Sequence, residues 1–226
     1  MKRKIITTSD GSKTIQIEDW DEQYHSKHGA IQEAYHVFIK HGLSLFNKQP
    51  LSILEIGFGT GLNALITWKE SVNFNLDIEY TGVEKYPVIL EELEGLNYIS
   101  ELNATTFKDG FNEMHQAPWD STNVISDQFT LIKQKKDFLE IDEEERYNLI
   151  YFDAFGARVQ PELWTEVIFL KMYNALKENG ILVTYSAKGS VRRAMQTVGF
   201  TVERLPGPPG KREMLRARKV LDNKKL

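Results

Sequence analysis

The sequence predicts a single α/β domain built on a mostly parallel, doubly wound sheet, and three observations predict it. From Leu51 onward, short apolar runs alternate with segments of helical period. The first of those runs ends in a glycine-rich turn, and the last two are joined by too few residues for a parallel crossover. Strands buried on both faces read as continuous apolar runs, and alternating strand–helix units assemble a parallel sheet. At 226 residues the chain is long enough for one large domain and too short for two comfortable ones.

In chain order, Lys4 to Thr8 and Lys13 to Ile17 read as a hairpin, with Asp10-Gly11 as the positive-φ pair of a type I′ turn. An aromatic, histidine-containing segment (Trp20, Tyr24, His25, His28) precedes a helix expected from about Ile31 to Phe46. Residues 1–46 are thus expected as an N-terminal extension packed on a main domain of 47–226. In that domain Leu51 to Ile56 is the first strand, Leu62 to Trp68 a helix, Asp77 to Val83 the second strand, and Pro87 to Leu96 a helix with proline in its first turn. Residues 97–128 show no clean period and are read as an irregular insertion. Strands follow at Phe129 to Ile132, Tyr147 to Phe152 and Ile181 to Tyr185, with a helix from Pro161 to Leu176 that Asn179-Gly180 ends. Phe200 to Leu205 and Met214 to Ala217 complete the sheet. A parallel crossover needs a dozen or more residues, so these two strands must be antiparallel.

Composition narrows the chemistry. There is no cysteine, which excludes disulfides, thiolate metal sites and cysteine nucleophiles. His25 and His28 lack further ligands at metal-binding spacing, so no metal is expected. No apolar run approaches the roughly 18–20 residues of a membrane span, and the basic start has no apolar core of a secretory signal, so a cytoplasmic protein is expected. The formal net charge of −4 argues against a uniformly basic nucleic-acid binder. Charge is segregated, however: Asp137 to Glu145 is acidic, while the end from Arg204 holds Lys211, Arg212, Arg216, Arg218, Lys219, Lys224 and Lys225. That leaves open a local phosphate-binding face or a merely solvated basic tail.

Four signals carry chemistry. The strongest is Leu54-Glu55-Ile56-Gly57-Phe58-Gly59-Thr60-Gly61-Leu62-Asn63 at a strand-to-helix turn. A dinucleotide site wants G-x-G-x-x-G with its pyrophosphate at the helix N-terminus. Here the third glycine comes one place early, which suits a nucleoside-type cofactor without a pyrophosphate, lying across the turn. Glu55, Gly57, Phe58, Gly59, Thr60, Gly61 and Asn63 are the candidate contacts. Second is Glu84 with Lys85, after the second strand, where an acid accepts from both ribose hydroxyls; the alternative is a surface Glu84–Lys85 pair. Third is Asp137 with Phe138, beyond the third strand, placed to accept from an adenine amino group beside an apolar ring. Fourth is Asp153, at the carboxyl end of the fourth strand. A carboxylate there, near the transferable group, can orient an amine and take its proton; a turn cap is the alternative.

Together these residues resemble the methyltransferase family that completes 5-methylaminomethyl-2-thiouridine at the tRNA wobble position, over roughly Tyr24 to Arg218. The resemblance lies in Tyr24-His25-Ser26-Lys27-His28-Gly29-Ala30 leading to Glu33 and His36-Val37-Phe38, in Glu55 to Asn63, and in Glu84-Lys85. It continues in Asp153-Ala154-Phe155 with Pro161-Glu162-Leu163-Trp164-Thr165. It is most specific in Tyr185-Ser186-Ala187 with Val191-Arg192-Arg193, in Gly199-Phe200, and in Gly210-Lys211-Arg212-Glu213-Met214-Leu215. It implies a Rossmann-like fold, S-adenosylmethionine as cofactor, and methyl transfer to the amine of 5-aminomethyl-2-thiouridine. It further implies Asp153 beside that amine, Phe155 at the substrate, and Arg192, Arg193, Lys211 and Arg212 as contacts to the tRNA anticodon region. The FAD-dependent oxidoreductase half found fused in many relatives is expected to be absent from this chain. Where the family usually continues Ala-Pro after Asp153-Ala154-Phe155, this chain has Gly156-Ala157, which predicts a looser loop. The rival readings are an enzyme of methyltransferase or aminopropyltransferase type acting on a small amine, and a non-catalytic cofactor-binding scaffold.

Overall fold

The computed structural model describes residues 2–220, so Lys224 and Lys225 of the basic tail lie outside the described residues. Strands β1 (Arg3–Thr7), β2 (Lys13–Ile17) and β3 (Glu22–Gln23) form a small antiparallel sheet in that order. The expected two-residue turn is corrected to a five-residue loop, since Thr7 pairs with Lys13. Only Gly11 takes positive φ there. Asp10 instead uses its carboxylate, accepting from Thr8 Oγ1, from the Ser12 amide and from the Gln32 amide at 2.7, 3.1 and 3.0 Å. This local side-chain bonding replaces the tight corner.

Helix α1 (Ala30–Ala34) continues as a π-helical turn through Tyr35–Lys40 and stops short of the expected Phe46. At Gly42 the backbone passes so close to the Phe38 carbonyl that a Cβ would lie 2.5 Å from its oxygen. The chain then enters the main sheet through β4 (Pro50–Ile56), α2 (Leu62–Phe74), β5 (Asp77–Val83), α3 (Leu90–Leu93), α4 (Tyr98–Glu101), α5 (Lys108–Gln116), β6 (Ser121–Ser126) and β7 (Phe129–Gln134). It goes on through β8 (Tyr147–Phe152), α6 (Glu166–Ala175), β9 (Leu176–Thr184), α7 (Gly189–Thr197), β10 (Thr201–Pro206) and β11 (Glu213–Arg218).

The eight strands lie in the order β10-β11-β9-β8-β4-β5-β7-β6. Neighbours among β9, β8, β4, β5 and β7 pair in parallel, while β6, β10 and β11 pair antiparallel. This is the α/β architecture that the sequence predicts, with the antiparallel end pair in place. The apolar runs follow from burial on both faces. Leu149 and Tyr151 join a core with Phe38, Leu65 and Phe129, while Ile150 and Phe152 join the opposite core with Trp164, Phe169 and Met172. The order reverses at β4, between β5 and β8, which opens a crevice at the strands' carboxyl ends.

Three element boundaries are corrected. The segment 97–128 is not irregular: it holds α4, α5 and the edge strand β6. Each is short and thinly anchored, α5 burying only Phe111 and Met114, so its period is faint in sequence. Pro87 to Leu96 forms a single turn, α3: its start is held by the Ile89 amide donating to Glu92 Oε2 at 3.3 Å, and Gly95 beyond its end closely approaches Ile5. The helix expected from Pro161 to Leu176 is a 3-10 turn at Pro161–Trp164 and then α6, which passes directly into β9.

Candidate active site

The loop from β4 to α2 turns on three glycines, Gly57, Gly59 and Gly61, with φ of 90°, 49° and 70°. Side chains strongly disfavour these conformations. Space forbids them as well: a Cβ on Gly57 would sit 2.8 Å from the Asp153 carbonyl oxygen, and one on Gly59 would sit 2.9 Å from the Tyr24 ring. Phe58 packs down onto Gly82 of β5, which pins the loop to the sheet. The resulting bare backbone forms the floor of a cavity of about 600 Å³.

One end of that cavity carries Glu84, Lys85, Tyr86, Asp137 and Phe138. Glu84 Oε2 accepts from the Gly59 amide at 3.1 Å and Oε1 from the Tyr86 amide at 2.8 Å. Burial pushes its carboxyl up against these bonds. Asp137 pairs with Lys85 at 2.7 Å and caps the following turn by accepting from the Leu139 amide at 2.9 Å. The Lys85 bond chiefly holds the Asp137 carboxyl below its ordinary value.

The other end is built around Asp153, just past β8. Its Oδ2 accepts from Asn63 Nδ2 at 2.8 Å. Burial first, and then the charge of Glu33, push its carboxyl up to about 7. Glu33 on α1 accepts from the Ser26 amide at 2.9 Å and forms an ion pair with Lys211. The Lys211 ammonium in turn lies 3.8 Å from the centroid of the Tyr185 ring, whose hydroxyl donates to the Ala154 carbonyl at 2.8 Å. Phe155 meets Tyr24 and Trp20 edge-on, with centroids 5.0 and 5.6 Å apart. The N-terminal extension therefore roofs the cavity. Arg158 fastens it by donating to Glu22 Oε1 and the Trp20 carbonyl, both at 2.8 Å. The loop at Gly156-Ala157 is followed by this staple and by the Val159 amide donating to the Gly156 carbonyl at 2.9 Å.

Gly57, Phe58, Gly59, Asn63, Glu84, Lys85, Asp137, Phe138, Asp153 and Phe155, all expected from sequence, line the cavity. Several expectations are corrected. Glu55 is 1% exposed and lies behind the floor, and Thr60 is buried against Tyr98, its Oγ1 3.0 Å from the tyrosine oxygen. Gly61 faces His115 instead of the cavity. Lys211, expected at the substrate, does line the cavity, where it pairs with the buried Glu33 carboxylate. Arg192 is half-buried, its Nε sealed without a partner, while Arg193 and Arg212 are exposed and lie off the cavity. Sequence reasoning missed Glu33, Trp20, Tyr24 and Tyr185 as cavity walls. Trp20 and Tyr24 sit in the aromatic segment before α1, but nothing in its period tells that it folds over the sheet edge.

Comparisons with known proteins bear on this geometry. A family model described as S-adenosyl-L-methionine-dependent methyltransferase matches residues 127–220. The tRNA 5-methylaminomethyl-2-thiouridine biosynthesis bifunctional protein MnmC of Leptospira interrogans is 30% identical over 213 residues, 88% of this chain and 32% of that protein. Its counterpart in Idiomarina loihiensis is 28% identical, over 87% of this chain and 35% of that protein. This chain thus spans about a third of the length of the curated relatives it matches. The solved structure of MNMC2 from Aquifex aeolicus superposes with a TM-score of 0.77 at 27% identity, covering 96% of this chain and 70% of that one. Spermidine synthase from Thermotoga maritima, at 15% identity and a TM-score of 0.53, shares the fold alone.

Proposed function

We propose, from the premise that this chain belongs to the S-adenosyl-L-methionine-dependent methyltransferases, in the family of the MnmC methyltransferase part, that it N-methylates the aminomethyl group of 5-aminomethyl-2-thiouridine at the tRNA wobble position. The observation that carries this reading is one cavity with a bare glycine floor, a ribose-type acid at one end and the buried Asp153 at the other.

The residues present fit the cofactor. The floor rejects a Cβ at Gly57 and Gly59, and Glu84 and Asp153, neither in an ion pair among the described residues, line the cavity. S-adenosylmethionine, when bound, supplies a methyl group already activated by the positive charge on its sulfur. Gly57, Phe58 and Gly59 would bed it, Glu84 would accept from the ribose hydroxyls, and Asp137 with Phe138 would receive the adenine. Asp153 would hold the substrate amine. An alkyl amine ordinarily titrates near lysine's value of about 10.4, so it arrives as an ammonium. Burial disfavours charge on the amine while raising the Asp153 carboxyl, which narrows the gap between them. Asp153 relays the ammonium's proton out to solvent; as a carboxylate again it accepts an N–H of the neutral amine, which leaves the lone pair free, and it takes up the proton lost on methylation.

Trp20, Tyr24 and Phe155 offer ring surfaces to a base extruded from the anticodon loop, as single-stranded RNA is commonly read. The exposed Arg193 and Arg212 are left as the phosphate contacts. No helix among the described residues is long and apolar enough to cross a membrane, and on this reading the protein would meet its tRNA in the cytoplasm. Nucleoside mass spectrometry of tRNA from cells lacking the protein tests the assignment. The reading expects 5-aminomethyl-2-thiouridine to accumulate and its methylated form to vanish. An unchanged methylated nucleoside, in cells with no second such enzyme, overturns it.

A further inference from the structure

Asn63 sits in the first turn of α2, directly after the glycine turn, and is 3% exposed. Its amide nitrogen carries two hydrogens, and both are spent on carboxylates: on Glu55 Oε1 at 2.9 Å and on Asp153 Oδ2 at 2.8 Å. Glu55 and Asp153 belong to the adjacent parallel strands β4 and β8, at or just past their carboxyl ends, so one amide spans the two strands. The two acids differ in surroundings. Asp153 lines the cavity, and its Oδ1 has no hydrogen-bond partner among the described residues. Glu55 is sealed in, no described cation pairs with it, and its Oε2 and the neighbouring Tyr80 hydroxyl are both buried without an assigned bond.

Two ionised carboxylates sharing one neutral amide in a dry interior would be severely destabilising. A neutral Glu55 resolves this. Its Oε1 accepts from Asn63, and a hydrogen shared between Oε2 and the Tyr80 oxygen accounts for those two orphaned atoms, while Asn63 Oδ1 stays buried without a partner among the described residues. Burial drives the Glu55 carboxyl well above its ordinary range, in the same direction.

We propose that Asn63 is a positioning residue: anchored on Glu55, it clamps Asp153 through Oδ2 and leaves Oδ1 as the single atom presented to the substrate amine. This rests on the amine-methylation reading above. The clamp fixes the direction in which the amine's hydrogen is taken, and its donated bond stabilises the ionised form of Asp153.

The test uses the full chain, with S-adenosylhomocysteine affinity as the measure of an intact fold and kcat followed against pH. Asn63→Leu is expected to lower kcat by about 10- to 100-fold and to move its acidic limb up by about one pH unit. Affinity for S-adenosylhomocysteine should stay within about threefold of wild type, within the context dependence of a single neutral contact. Glu55→Leu should reproduce the loss, and Glu55→Gln should rescue most of it, because a carboxamide accepts from Asn63 and donates to Tyr80 as a protonated acid does. If Asn63→Leu fails to bind S-adenosylhomocysteine, the Glu55 pair decides alone. Equal activity of Glu55→Leu and Glu55→Gln, or an unshifted limb in a folded Asn63→Leu, overturns the clamp. Full activity of Asp153→Asn would instead remove the underlying reading, which separates the two failures.

Discussion

Glu84 and Asp137 at one end of the cavity, and Asp153 at the other, are acids at the carboxyl edge of one sheet, yet their surroundings treat them differently. Glu84 is met by two backbone amides, and Asp137 by Lys85 and a backbone amide. Asp153 receives one neutral side-chain bond, lies deep, and faces the negative charge of Glu33, so its carboxyl rises to about 7. Asp137 is held in its charged form by Lys85, whereas Glu84, although burial pushes its carboxyl up, keeps two backbone amides that favour charge and binding. Asp153 is set to change charge near neutral pH. The comparison teaches that position on the sheet edge supplies a carboxylate, whereas the packing around it decides between recognition and proton transfer.

The sharpest way to break the comparison is Asp153→Asn. It should lower kcat by about 10²- to 10⁴-fold while leaving S-adenosylhomocysteine affinity nearly unchanged. It should also stabilise the protein. An acid raised in the folded state holds its proton between its unfolded value, about 3.9, and its folded one. Wild-type stability from this group is therefore greatest below about pH 4, falls as pH rises to about 7, and is flat above. Thermal melts at pH 8 should show a higher Tm for the variant, by about 2–4 °C for each kcal/mol relieved in a chain of this size. A lower Tm at pH 8 would mean that the buried carboxylate is not under strain.

Next comes the binding end. Glu84→Ala should weaken S-adenosylhomocysteine by about 10- to 100-fold, the worth of charge-assisted hydrogen bonds, in titration calorimetry. At saturating cofactor its kcat should remain near wild type, whereas a collapse of kcat would blur the division between the two ends. Lys211→Met is expected to act on Asp153 at a distance. Removing the cation leaves the Glu33 charge unopposed, so the acidic limb of kcat should move to higher pH by up to about one unit. A limb that moved down would assign Lys211 another role. The smallest effect is expected from Arg193→Ala with Arg212→Ala. Tight cofactor binding should persist, while the slope of log affinity for tRNA against log salt falls by about 0.7–0.9 per lost phosphate contact. An unchanged slope would move the tRNA face elsewhere.

How much of this was legible in the sequence divides along the same line. The glycine turn, Glu84, Asp137 and Asp153 follow the apolar runs at short, regular spacing, because each sits where a parallel strand ends, and strand ends can be read from local pattern. The antiparallel end pair was legible from loop length alone. The roof was not. Trp20, Tyr24 and Glu33 reach the cavity through long-range packing of the extension, which Arg158 fastens by binding Glu22, 136 residues away in sequence. The sequence offers Lys211 as a tRNA contact, and its pairing with Glu33 stays hidden because charge near the chain end cannot reveal a buried counter-ion. Glu55 was read as a cofactor contact because the motif gives its position in the chain, not the face it turns to. The short elements α4, α5 and β6 stayed hidden because each buries too few side chains to impose a period.

The most direct test of the two-ended cavity is a crystal structure of the protein with S-adenosylhomocysteine. The account predicts both ribose hydroxyls on Glu84, the adenine between Lys85 and Phe138, and the sulfur directed toward Asp153 with Oδ1 facing open space. A nucleoside seated elsewhere, for example in the smaller cavity beside His115, Trp119 and Lys133, or a sulfur turned away from Asp153, would contradict it.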